Sequence, residues 1–132
     1  LLPHLRDAIT DAYRRADVRG PEDLAGAEVH DCFSITEYLA IDHLGVTPPG
    51  QAGRALDDGT VARGGAFAIN PSGGLIGGGH PVGASGVRMI VDAARQVSGT
   101  AGAYQVANAR RFATLNIGGS GTTACAFVLG AP

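Results

Sequence analysis

The run from Asn70 to Gly86, NPSGGLIGGGHPVGASG, holds seven glycines and two prolines around a single imidazole, His80. A stretch so poor in side chains cannot build a core of its own. It lies between an apolar segment, Ala66 to Ile69, and an amphipathic one starting near Ala84. It reads as a loop whose backbone is the working surface, because glycine lets main chain approach a ligand closely. Val87, Ile90, Val91 and Ala94 recur at helical spacing behind Pro81 and Gly83. A helix is therefore expected to begin within a turn of His80, with its positive end toward the ring. An imidazole so placed is disfavoured as a cation and suits proton transfer or hydrogen bonding to a carbonyl oxygen; a turn-packing histidine is the plainer alternative.

A second chemical group stands in His30-Asp31-Cys32-Phe33, after the mildly apolar strand expected over Ala25 to Val29. Ser34-Ile35-Thr36-Glu37 has capping-box spacing, with Ser34 as N-cap and Glu37 at N3, so Cys32 precedes a helix start. There the dipole and a nearby histidine favour a thiolate, while a small apolar residue under a helix is the alternative. Cys125, between Ala124 and Ala126, reads as a buried structural thiol. The remaining pattern is a helix over His4 to Ala16, a connection from Val46 to Gly65 with one helical turn, and a helix from Ala84 to Val97. Two closing strands, Phe112 to Ile117 and Thr122 to Leu129, are joined by Gly118 to Gly121. Strand and helix alternate before the final pair, which favours an α/β layered fold. Three loops, around His30, His80 and Gly118, each follow a strand and are expected to meet at one site.

Other chemistries are excluded by spacing. No GxGxxG occurs, no lysine follows the glycines, and neither Ser85 nor Ser120 completes GxSxG. His30 and Cys32 form one short pair without a second, so no metal is expected. The arginines are scattered and the net charge is -2, so no nucleic acid is expected as a partner. No apolar run reaches the ~18 residues of a membrane span. Two cysteines make no disulfide framework, and a cytoplasmic setting is the simplest. The chain opens on a helical pattern without methionine and is expected to be a piece of a longer protein.

Together, HDCF, NPSGGLIGGGHPVGASG and NIGGSG (Asn116 to Gly121) resemble the carboxyl-terminal domain of thiolases, of the sterol-carrier-protein-X type, over nearly all of residues 1–132. The resemblance implies a thiolase-like α/β fold: the C-terminal half of a five-layered molecule, a mixed β-sheet with helices on both faces, lacking its first strand. It implies an acyltransferase of lipid metabolism, as in fatty acid β-oxidation or acetyl-CoA acetyltransferase chemistry, with coenzyme A as substrate and no cofactor. His80 would activate the nucleophile and help hold the thioester oxygen. His30 would take the oxyanion side, and Cys32 would be the second acid/base. Many thiolases begin the last loop with cysteine; Asn116 stands here and cannot shuttle a proton, while the Gly118 N–H would serve an oxyanion hole. The nucleophilic cysteine would lie in an N-terminal thiolase half, so the fragment alone is expected to be inactive. A homo-oligomer, dimer or tetramer, is implied as well. Two rivals stand beside this reading: a thiolase-fold retro-aldolase of steroid side chains, whose loops carry tyrosines where His30 and His80 stand, and a non-catalytic acyl-CoA-binding subunit.

Overall fold

The computed structural model describes residues 2–131, so Leu1 and Pro132, the ends of the expected domain, lie outside the described residues. Strands β1 (Gly26–Val29), β2 (Ala68–Ile69), β3 (Arg111–Gly118) and β4 (Thr123–Gly130) form one sheet in the order β2-β1-β3-β4. β1 runs parallel to β2 and β3, whereas β4 returns antiparallel to β3. The expected mixed sheet is present. The helices are α1 (Pro3–Arg15), α2 (Ser34–Leu44), α3 (Ala52–Asp57), α4 (Gly74–Gly78) and α5 (Ser85–Ser98).

Strand alternation divides the layers. Ala27, Val29, Ala113 and Leu115 face a core closed by Leu5 and Ile9 of α1 and by Ala40, Ile41 and Leu44 of α2. Phe112 and Ala68 join Ala93 of α5 in a smaller core. By the same alternation Glu28, Thr114 and Asn116 face α5 rather than α1. Helices thus cover both faces, and the buried polar side chains of the strands, Glu28 and Thr114, point to the α5 side. No helix among the described residues is long and apolar enough to cross a membrane.

Two local expectations are corrected. Ser34 is the first residue of α2 and not its N-cap; Phe33 holds that position. The Thr36 hydroxyl reaches back to accept the Phe33 N–H at 3.4 Å and to donate to the Phe33 carbonyl at 2.6 Å, which removes the need for a serine cap. The glycine run is not loop throughout, because Gly74–Gly78 closes a short helix. Gly74 itself takes φ +61, and a Cβ there would collide with the Asp31 carboxylate. Other boundaries agree within about two residues, and Gly45 and Gly99 end α2 and α5 in left-handed conformations, φ 85 and φ 71.

His43 ties α1 to α2. Its Nε2 accepts the Leu2 N–H at 2.9 Å, so the ring proton is on Nδ1, which donates to the Leu39 carbonyl at 2.6 Å. The ring is only 1% exposed. Replacing His43 with alanine leaves a cavity and an unmatched backbone donor, and is expected to destabilise the fold by about 2 kcal/mol. Denaturant unfolding checks this; an unchanged midpoint would show that the clamp contributes nothing.

Candidate active site

The end of β1 holds the glycine run by three attachments. The Val29 N–H donates to Asn70 Oδ1 at 2.7 Å. Ser72 donates twice to Glu28, from Oγ at 2.6 Å and from its backbone nitrogen at 3.2 Å. The Leu75 N–H donates to Asp31 Oδ1 at 2.6 Å, which places a carboxylate at the start of α4. Arg88 of α5 adds a bond from Nη2 to the Gly74 carbonyl at 2.9 Å. A backbone with few side chains is thus fixed by its neighbours, and His80 leaves it in a defined place.

His30 and His80 meet edge to face, ring centroids 4.9 Å apart and planes at 86°. Burial, and then the neighbouring His80, hold the His30 pKa below the ordinary histidine value, outweighing the nearby Asp31 charge. His30 Nδ1 is buried and has no partner among the described residues. His80 Nδ1 lies 2.7 Å from Ser85 Oγ, and that hydroxyl is 3.1 Å from the Pro81 carbonyl. When Ser85 donates to Pro81, it accepts from His80 Nδ1–H, and Nε2 is left with a free lone pair. That is the tautomer a base requires.

The five residues singled out in the sequence, His30, Cys32, His80, Asn116 and Gly118, all line one cavity of about 980 Å³. Three distant loops therefore converge. Cys32 precedes α2, half-buried, with Sγ 3.9 Å from Thr36 Oγ1. Since the Thr36 proton goes to Phe33, the thiol is the donor in this loose contact. Asn116 turns its amide onto Met89 Sδ at 3.0 Å, away from proton chemistry. No group of three or more His, Cys, Asp or Glu able to hold a metal occurs among the described residues.

Cys125 departs from expectation. It is exposed rather than buried, lines the same cavity, and sits directly across from Asn116 in the β3–β4 register. Thr123, Cys125 and Phe127 face the cavity, while Ala124, Ala126 and Val128 pack on the main core. Ser85 was missed as well, although a hydroxyl five residues beyond the histidine at a helix start was a readable signal.

The residues from 2 to 131 match the family model described as "Thiolase C-terminal domain-like". The chain belongs to this thiolase C-terminal family. It is 42% identical to an acetyl-CoA acetyltransferase of Methanothermobacter thermautotrophicus, over 92% of this chain and 32% of that protein. It is 41% identical to sterol carrier protein 2 of Rattus norvegicus, over 86% of this chain and 20% of that one. A chain of the Ltp2-ChsH2(DUF35) aldolase superposes with a TM-score of 0.86 at 25% identity, covering 98% of this chain and 32% of its own length. This thiolase-type domain thus spans about a third or less of the proteins it matches.

Proposed function

We propose that this domain carries the acid/base and oxyanion loops of a thiolase, cleaving a 3-ketoacyl-CoA with CoA or running the reverse condensation. The observation that carries the reading is the contact of His30 with His80 in a cavity shared with Cys32 and Gly118. Carbon–carbon cleavage beside a thioester builds negative charge on oxygen, and fixed donors are the main source of its stabilisation, about 10² to 10³ in rate each. His30 and the Gly118 N–H are the donors in this reading. His80, with Nε2 free, takes the proton of a cysteine supplied by an N-terminal half outside this chain. Cys32 returns a proton to the carbon left by the broken bond. No cofactor is required, since CoA is itself a substrate.

A covering half has support in the surface. Phe33, Val82 and Val87, 70%, 82% and 66% exposed, rim the cavity and present apolar surface that a partner segment would bury. By the family resemblance, the whole protein is a dimer or tetramer, and its unpaired thiols Cys32 and Cys125 suit a reducing cytoplasm. The structural likeness to an aldolase keeps a retro-aldol reading in play.

The test is an assay of the whole protein with a 3-ketoacyl-CoA and free CoA, beside a β-hydroxyacyl-CoA without CoA. CoA-dependent release of acetyl-CoA is expected, absent from residues 1–132 alone, and Cys32→Ala should lower it about 100-fold. Cleavage of only the β-hydroxy thioester would transfer the site to the aldolase class, and no turnover of either would leave a binding subunit.

A further inference from the structure

Beneath the glycine run lies a buried acidic side chain that no step of the proposed reaction uses. Glu28 sits on β1 between β2 and β3 and is fully buried. Its two oxygens take both Ser72 donors, the backbone N–H and the hydroxyl. Ser72 opens the segment that runs through α4 to His80, and Gly74 N–H in turn reaches Ser72 Oγ at 3.4 Å.

We propose that Glu28 is a positioning residue for His80, its carboxylate gripping Ser72 at two points and so fixing the root of the loop that carries the imidazole. The inference rests on the thiolase reading for its activity readout and on geometry alone for its structural one. The groups facing Glu28 are few. Arg88 and Asp92 come from α5, with Arg88 Nε 4.0 Å from Asp92 Oδ2. Thr114 stands beside Glu28 in the β1–β3 register, its hydroxyl buried and unpartnered among the described residues. β2 contributes only Ala68 and Ile69.

The ionised carboxylate accepts both Ser72 bonds, and such charge-assisted bonds are roughly twice as strong as neutral ones. Once protonated, one oxygen carries a hydrogen and must donate. On Oε2 that hydrogen turns the Ser72 Oγ bond round, and on Oε1 it opposes the Ser72 N–H, so in either case the carboxyl no longer accepts both donors fully. Burial pushes the Glu28 carboxyl up to about 7, against the Ser72 bonds that lower it, with Asp92 raising and Arg88 lowering it. The grip therefore tightens as pH rises through neutrality.

The experiment compares the whole protein with Glu28→Gln, an isostere fixed in the neutral form. The wild-type to variant ratio of kcat is expected to be near one at about pH 6 and to reach about tenfold by about pH 8.5, with KM unchanged, because misplacing a reacting group acts on turnover. Hydrogen exchange of the Ser72 to Leu75 amides gives the readout independent of activity. After correction for intrinsic rates, protection should grow with pH in the wild type and stay flat in the variant. Should Glu28→Gln not fold, Ser72→Ala must flatten the same limb. Exchange that follows Glu28 in a protein without thiolase turnover would leave the grip standing and remove the functional reading. Parallel exchange in wild type and variant would overturn the proposal whatever the turnover.

Discussion

His80→Ala in the whole protein is expected to lower kcat for 3-ketoacyl-CoA cleavage by about 10³ or more, with a smaller change in KM. The size follows from two duties falling on one ring: proton transfer, worth about 10² to 10⁴, and, once Nε2 has taken that proton, donation to the developing oxyanion beside the His30 and Gly118 donors, worth about 10² to 10³. The two are not additive, because losing the base already stops the nucleophile. His30, in edge contact at 4.9 Å, cannot take over. It leaves β1 on the other side of the pair, and no bond from Ser85 orients it. Steady-state kinetics on the alanine variant decides the matter. Turnover within a factor of about three of wild type would remove His80 from the chemistry.

The second large effect concerns stability. Glu28 titrates near 4.5 in an unfolded chain and is raised to about 7 in the fold, with burial the first cause. The folded protein therefore holds this proton more tightly than the unfolded one. The contribution is fully present below about pH 4.5, declines as pH rises, and is gone above about 7. A difference of that size corresponds to about 3 kcal/mol. His30, whose pKa is lowered, works in the opposite sense below its ordinary value, so the informative quantity is the difference between wild type and Glu28→Gln. That difference should shift against the wild type by about 3 kcal/mol between about pH 4.5 and 8 in chemical denaturation. A gap independent of pH would show that the carboxyl is not perturbed. The ionised state that grips Ser72 best is thus the one the fold tolerates least, a familiar opposition between working geometry and stability.

What could be read in the sequence was what local chemistry dictates. Glycine at 45 and 99 ended helices because a left-handed turn was required, and the His30, His80 and Gly118 turns followed strands that topology brings to one edge. What escaped depended on partners far along the chain. Glu28 is one acid in an apolar strand, and its meaning lies in Ser72, 44 residues away. α4 is built from residues of poor helix propensity and forms because Asp31 and Arg88 hold it. Cys125 was misplaced because Thr123 to Gly130 is nearly apolar on both faces, so alternation could not say which face looked into the cavity. At the start of α2 the letters pointed to Ser34 and Glu37, whereas the Thr36 hydroxyl serves the backbone of Phe33, a residue whose side chain gives no capping signal.

β4 pairs with β3 on one side and, among the described residues, with no strand on the other. Its letters, TACAFVLG, include neither a charge nor a proline, the usual devices that keep an open rim from recruiting foreign chains. Left uncovered, such a rim is expected to pair with a second copy through main-chain bonds, the more so in concentrated solution. The row of main-chain groups that invites such pairing is equally a seam into which an extended segment can be laid.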